Sequence, residues 1–196
     1  MSSSPKKIVY LAPHLSTGGM PQFVLKRIQA MLRLSEFEIH LIEYTQYSTK
    51  YVVQRDQLVS ILGDRFHSLG YLHSMNQAER TKNLKETLKQ INPDIVHIDE
   101  APESFDSFNK MPANTQKWLY SQKWKTVETN HNIWFEAKNK RLDPDQYQFC
   151  TPFHLETFET RLSDKYVIQY PIEDIVKAKE LAKSDIHQRA IHHPAD

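Results

Sequence analysis

The sequence predicts an α/β protein, a three-layer α/β/α domain with a mostly parallel sheet. Short apolar runs rich in β-branched residues alternate with helical patterns, which is the order typical of a parallel sheet covered by helices. The 196 residues suffice for one sizeable domain. Apolar residues make up 39 % of the chain and charged residues 25 %, as is usual in folded globular proteins. Together these observations indicate a Rossmann-like domain.

The first strand is predicted over residues 7–12, and a loop containing Gly18 and Gly19 leads from it into a helix. Pro21 falls near the first turn of that helix, where a missing N–H costs little. Apolar residues then recur on one face, as expected of a helix packed against a sheet. They are Val24, Ile28, Met31 and Leu32.

The same alternation continues to the end of the chain. Asn92-Pro93 ends the clearest helix, and Gly63 is predicted to end another. The further predicted strands are 37–43, 65–69, 94–98, 125–129, 147–150, which we place at a sheet edge, and 165–169. The further predicted helices are 51–62, 76–91, 153–162 and 174–183. We expect one domain over 1–173, followed by a linker helix and polar tail over 174–196.

Charge and composition exclude several classes of function. The 25 basic and 24 acidic residues leave a net charge of +1, so no broad basic surface for nucleic acid is expected. The longest apolar run, residues 8–12, is far too short to span a membrane. Cys150 is the single cysteine, which precludes an internal disulfide and fits a reducing compartment. We therefore expect a cytoplasmic protein without a transmembrane segment.

The Gly18-Gly19 loop is the first candidate site. In open parallel sheets, ligands bind outside the carboxyl ends of the strands. Two glycines allow close approach of the backbone, and the free N–H groups of a helix start favour an anion such as phosphate. The alternative is a turn that merely requires positive φ. The loop is neither a Walker A motif nor a complete G-x-G-x-x-G, which disfavours a simple nucleotide hydrolase or a standard dinucleotide enzyme.

Two other strand ends carry polar side chains. His97, Asp99 and Glu100 close the 94–98 strand, and Asn130 and His131 follow the 125–129 strand. These groups could bind sugar hydroxyls or orient one another, and an imidazole can donate or accept a hydrogen bond near a reacting group. Alternatively, His97 is a hydrogen-bonded core histidine, and His131 is also structural.

Other polar patterns favour structural interpretations. Thr151 with Pro152 predicts a helix N-cap and first helical residue. Asp185 and three nearby histidines lie in a polar tail without a rigid scaffold, so we predict no metal site. The histidines are His187, His192 and His193.

Five segments, taken in order, resemble glycosyltransferase family 4. They are KIVYLAPHLSTGGMPQFV, DIVHIDE, KTVETNHN, CTPFHLETF and KYVIQYPIE, and they cover roughly residues 6–174. In that family a first strand leads through a Gly-Gly loop into a helix, and a later strand ends in a Thr-x-His motif. The resemblance implies a GT-B fold, in which two Rossmann-like domains face a cleft, and this chain would be the amino-terminal, acceptor-side domain.

The resemblance also implies roles for individual residues. Gly18 and Gly19 would approach the donor diphosphate, and His131, as the catalytic residue, would lie near the transferred sugar. Asp99 stands where the family frequently has a second histidine. The expected substrate-binding residues are Gly18, Gly19, His97, Asp99, Glu100 and Asn130. Family members usually retain the anomeric configuration and need no metal, so the nucleotide-sugar is expected as a substrate and no cofactor is expected.

The family's Glu-x7-Glu motif and its basic residues for the leaving diphosphate belong to the carboxy-terminal domain. The chain ends about where that domain would begin, so we expect it to be inactive without a separate donor-binding domain or subunit. The alternatives are a non-catalytic glycan- or protein-binding module with the same fold and a small nucleotide-dependent enzyme.

Overall fold

Seven parallel strands form the sheet of the computed structural model, which describes residues 4–16, 18–48, 50, 52–105, 110–158 and 165–167. The strands are Lys7–Ala12 (β1), Glu38–Glu43 (β2), Phe66–Ser68 (β3), Ile95–Asp99 (β4), Lys125–Asn130 (β5), Gln146–Phe149 (β6) and Lys165–Val167 (β7). The helices are Gly19–Leu34 (α1), Val53–Leu62 (α2), Gln77–Ile91 (α3), Ala113–Tyr120 (α4) and Pro152–Thr157 (α5). The predicted Rossmann-like α/β fold is confirmed.

The sheet has the strand order β3-β2-β1-β4-β5-β6-β7, so the chain begins in the middle and reverses direction after β3. The loops after β1 and β4 therefore diverge, and a reversal of this kind opens a crevice at the carboxyl edge. The register places the carboxyl ends of β4, β5 and β6 next to one another, because Asp99 pairs with Thr129 and Asn130 pairs with Phe149. The polar strand ends predicted from the sequence thus meet at one edge.

The helices pack against the two faces of the sheet through clusters of buried apolar residues. Val24, Leu25 and Ile28 of α1 pack with Leu58 and Leu62 of α2 on one face. On the opposite face, α3 and α4 cover β1 and β4. Their principal buried residues are Val9, Leu11, Leu84, Leu88, Ile91, Val96, Ile98 and Leu119. The buried β4 and β1 are thus rigid supports for the residues at their carboxyl ends.

Local signals in the sequence account for several helix ends. The Asn76 side chain caps α3 and forms a reciprocal capping box with Glu79. Gly63 ends α2 with φ 54°, as predicted. Thr151 accepts a hydrogen bond from the His154 N–H at the start of α5, which confirms its predicted capping role. Among the described residues, no helix is long and apolar enough to cross a membrane.

Three predictions about individual elements were wrong or incomplete. The strand ending at Phe149 is not at the edge, because β7 pairs with it in parallel. Helix α5 ends at Thr157 instead of reaching residue 162, since Phe158 adopts an extended conformation. Helix α4 was not predicted. Residues 159–162 and 168–169, the predicted helix 174–183 and the histidines of the tail lie outside the described residues.

Gly18 is expected to be sensitive to substitution because its φ is 137°, a region that L side chains rarely adopt. Gly18→Ala should lower the free energy of unfolding by about 1–2 kcal/mol. Gly19→Ala is the matched control, because this neighbour begins α1 and alanine is favourable in a helix. Chemical denaturation would measure both variants, and equal losses would contradict a conformational requirement at Gly18.

Candidate functional site

Arg27 joins α1 to the carboxyl ends of β4 and β5. One guanidinium nitrogen donates to Asp99 Oδ1 at 2.9 Å and lies 2.8 Å from His97 Nε2. The other donates to Thr129 Oγ1 at 3.0 Å. The Asp99 side chain is fully buried and the Arg27 side chain is only 10 % exposed. The guanidinium therefore neutralises a carboxylate that would otherwise be buried without a counter-charge.

His97 lies beneath this ion pair and within the hydrogen-bonded interior. Its Nε2 is 2.7 Å from Thr129 Oγ1, and its ring lies 5.0 Å from the Tyr10 ring. Burial, reinforced by the Arg27 charge, lowers the pKa of His97 to about 3. The imidazole is therefore neutral, and its hydrogen bonds align β4 with β5.

His131 is the histidine at the tip of this cluster. Its Nε2 lies 3.5 Å from Asp99 Oδ1, its Nδ1 lies 3.4 Å from Cys150 Sγ, and the edge of its ring contacts Phe23. Burial opposes the charged form, but the interactions with Asp99 and Cys150 outweigh it and raise the pKa of His131 to about 9. A cation therefore lies at the carboxyl edge at neutral pH.

The Asp99 carboxylate stabilises the charged form of His131. Burial would raise its pKa, but the charge of Arg27 and the hydrogen bond from His131 outweigh burial and hold the pKa below its ordinary value. Its second oxygen, Oδ2, is buried and has no hydrogen-bond partner among the described residues. A buried acceptor of this kind is costly unless a water molecule or a ligand hydroxyl reaches it.

The charge on His131 predicts a pH-dependent contribution to stability. Its pKa is raised from 6.5 to about 9 in the folded chain, which corresponds to roughly 3 kcal/mol. Because the folded pKa is the higher one, this stabilisation is complete below the unfolded value and is lost as the pH rises through the folded value. Denaturation of wild type and His131→Asn from acid to alkaline pH should show a difference that shrinks toward alkaline pH.

His73→Asn is the control for this experiment, because His73 is exposed and lies away from the cluster. Because its side chain is exposed, this substitution should change the free energy of unfolding by no more than about 0.5 kcal/mol. A constant difference for His131→Asn would contradict a charged His131.

Glu100 and Asn130 shape the backbone on either side of His131. Glu100 has φ 94°, which is rare for a residue with a side chain, and its carboxylate accepts from Ala101 N and Ser104 Oγ. Burial raises its pKa, and the charge of His131 opposes this. Asn130 is fully buried, and its Oδ1 accepts from Asn132 N. Both residues thus position the strand ends around the imidazole.

The Gly18-Gly19 loop lies close to this cluster. Helix α1 begins at Gly19, and Phe23, just over one turn later, contacts the His131 ring. With a rise of about 1.5 Å per residue, the helix start is therefore about 6 Å along the axis from Phe23. Among the described residues no side chain caps this helix start, so its N–H groups add partial positive charge at the edge of the sheet where His131 lies.

The structure thus places five of the predicted site residues at one edge of the sheet, and it adds two residues that were not predicted. Gly18, Gly19, Asp99, Glu100 and His131 surround the crevice, while His97 and Asn130 support it from the interior. Sequence reasoning missed Arg27 and Cys150. Arg27 carried a usable signal, because it falls on the apolar stripe of α1 between Val24 and Ile28. No group of metal-binding side chains occurs among the described residues.

The fold resembles solved structures of UDP-N-acetylglucosamine 2-epimerases. The Neisseria meningitidis enzyme, solved with UDP-GlcNAc bound, matches with a TM-score of 0.58 and 15 % identity over 93 % of this chain and 52 % of its own. The Rickettsia bellii enzyme gives 0.52 and 14 %, with 97 % and 52 % of the chains covered. No protein-family model and no curated protein sequence matches.

This similarity establishes a GT-B-like Rossmann fold and does not extend to activity. The chain spans about half the length of these solved enzymes.

Proposed function

We propose that the chain is the amino-terminal domain of a nucleotide-sugar enzyme, and specifically the acceptor-side domain of a retaining glycosyltransferase. The observation that carries this proposal is that the start of α1 and the imidazole of His131 lie at the same carboxyl edge of the sheet. Their proximity follows from the contact between Phe23 and His131. Such an edge suits the diphosphate and the reacting sugar of a nucleotide-sugar.

The chemistry follows from the charge that develops during transfer. The bond between the sugar and the diphosphate breaks, and the departing diphosphate gains negative charge. Donors placed in advance at that position lower the barrier most, because they need not reorganise during the reaction. The amides of Gly18 and Gly19 would supply such donors, and His131 would donate to a sugar or phosphate oxygen.

Two of the contacts that His131 makes are long. The distances of 3.5 Å to Asp99 and 3.4 Å to Cys150 leave room for a substrate oxygen to compete for either N–H. Hydrogen bonds of catalytic groups often become short only in the substrate complex. Asp99 and Arg27 would then act as positioning residues that keep the imidazole charged and oriented.

Binding of the donor tests the proposal in the chain as it exists. In a ¹H–¹⁵N NMR titration with UDP-GlcNAc, UDP and pyrophosphate, the Gly18, Gly19 and His131 signals should shift saturably. His131→Asn should weaken binding, and His73→Asn should leave it unchanged. Absence of any saturable shift would contradict a nucleotide-sugar site.

Activity requires a second experiment, in which a donor-binding domain is supplied. The chain, mixed with a carboxy-terminal family 4 domain, should transfer sugar to an acceptor, and His131→Asn should abolish most of that transfer. UDP-GlcNAc converted at C2 without any acceptor would instead support epimerisation, the activity named for the solved neighbours. Binding of glycans without either reaction would support a non-catalytic module.

A further inference from the structure

A cavity of about 790 Å³ lies next to the His131 cluster, between the loop after β5 and helix α5. This volume is within the range of about 300–1,000 Å³ that is typical of small-molecule sites. Ile133 belongs to the cavity wall and follows His131 by two residues, so the wall begins within about 7 Å of the His131 backbone. A ligand in the cavity would therefore lie beside the proposed reaction site.

Large apolar side chains are exposed around the cavity. Trp134 is 84 % exposed, Phe153 62 % and Ile133 44 %. Each leaves apolar surface in contact with water, and grouped exposed apolar surface often marks a binding site. Aromatic rings in this setting offer flat faces for a ligand with an apolar face of its own.

His154 is a buried polar side chain in the same wall. It is 2 % exposed, and neither ring nitrogen has a hydrogen-bond partner among the described residues. The rings of Phe149 and Phe158 contact it edge-on at 4.9 Å and 5.5 Å. Burial lowers its pKa, and a backbone group of Phe135 opposes this. The neutral ring has one donor and one acceptor, and the nitrogen that does not face the Phe135 backbone is the one that a ligand hydroxyl could bind.

The charged groups of the wall nearly cancel, since they are the cations Lys138, Lys140 and Arg141 and the anions Glu136 and Asp143. Lys138 forms an ion pair with Glu136, and Asp143 accepts a hydrogen bond from Tyr147. Lys140 is held by two carboxylates beneath the cavity. Such a wall offers both donors and acceptors, which suits a ligand rich in hydroxyl groups.

We propose that this cavity binds the acceptor as a neutral saccharide, with a sugar ring stacked on Trp134 and hydroxyl groups bound along the polar wall. This inference rests on the proposed function and names the acceptor class. A pyranose has an apolar C–H face and a rim of hydroxyl groups, which matches the exposed aromatic rings and the charged rim. His154 would bind a hydroxyl group that enters between Phe153 and Phe158.

Tryptophan fluorescence provides a direct test in the unmodified chain. Of the three tryptophans, Trp118 and Trp124 contact each other at 5.7 Å and are partly buried, whereas Trp134 is exposed. Titration with methyl glycosides and with lactose, maltose and chitobiose should give a saturable change with at least one saccharide. The change should persist in the control Trp118→Phe.

Calorimetry with the responding saccharide then tests the individual contacts. Trp134→Ala should weaken binding at least about tenfold. His154→Phe preserves the aromatic packing and removes both ring nitrogens, so the chain should stay folded while its affinity falls. Affinity equal to that of the wild type in either variant would overturn the assigned contact.

Two further outcomes would overturn the saccharide assignment. One is the absence of a saturable fluorescence change with every saccharide. The other is a fluorescence change that uridine or a molecule with an octyl chain produces and that no saccharide produces. Failure of the donor site is recognised separately, because UDP-GlcNAc is expected to shift Gly18, Gly19 and His131 and not the cavity wall.

Discussion

Replacing Arg27 by methionine is expected to lower the free energy of unfolding by about 3–5 kcal/mol. The substitution removes the hydrogen bonds to Asp99 and Thr129 and the contact of the guanidinium with the Phe23 ring at 4.3 Å. Asp99, which is fully buried, would then lose its closest cation. A carboxylate buried without a partner is among the largest single costs that a folded protein meets.

Urea denaturation at neutral pH measures this loss. Arg33→Met is the matched control, because Arg33 is exposed in the last turn of the same helix. Asp99→Asn removes the charge that Arg27 neutralises, so adding Arg27→Met to it should cost much less than Arg27→Met alone. Additive losses would show that Arg27 stabilises the fold independently of Asp99.

Replacing Lys140 by methionine should have a comparable effect at a second buried cluster. Lys140 Nζ lies 2.7 Å from Glu128 and 2.9 Å from Glu103, and all three side chains are nearly inaccessible. Tyr120 also donates to Glu128 at 2.7 Å. Without the ammonium group, two buried carboxylates would face each other, so we expect a loss of about 3–5 kcal/mol at neutral pH.

The pH dependence of this variant distinguishes charge from packing. Burial raises the pKa of Glu128, and Lys140 opposes that rise. Removing Lys140 should therefore raise the folded pKa further, so the folded variant binds more protons than the unfolded chain. Its stability should increase relative to the wild type as the pH falls from neutral toward the unfolded glutamate pKa of about 4.3. A loss independent of pH would indicate packing alone.

Lys138→Met controls for the removal of a lysine from this segment. The Lys138 side chain is 75 % exposed, and within the described part of the chain it forms an ion pair with the exposed Glu136 alone. Surface pairs of this kind contribute about 0–1 kcal/mol. The control should therefore stay close to the wild type at every pH.

Local chemistry was sufficient to predict most of the fold. The apolar runs of β1 and β4 and the capping residue Thr151 lie where the sequence placed them, because each depends on neighbours in the chain. Helix α4 was missed since its buried Thr115 and Gln116 are polar and leave a weak apolar pattern. The position of β6 inside the sheet depends on pairing with β7, which no local signal encodes.

The sequence predicted where the candidate site lies, but it did not predict which of its side chains contact one another. The rule that ligands bind at the carboxyl ends of parallel strands selected His131, Asp99 and the Gly18-Gly19 loop. The rule does not say which polar side chains become buried. Only the packing of α1 against β4 and β5 brings Arg27 to Asp99 across 72 residues of sequence.

The sequence by itself determined an α/β chain with glycines and polar groups at the carboxyl ends of its strands, because strand pattern, capping and turn chemistry act over a few residues. The tertiary structure alone decided that His97 is a neutral interior histidine and that His131 carries a charge. Both rings lie beside the same Arg27–Asp99 pair. Their protonation is set by burial and by through-space interactions with residues distant in the chain, so no local pattern could have distinguished them.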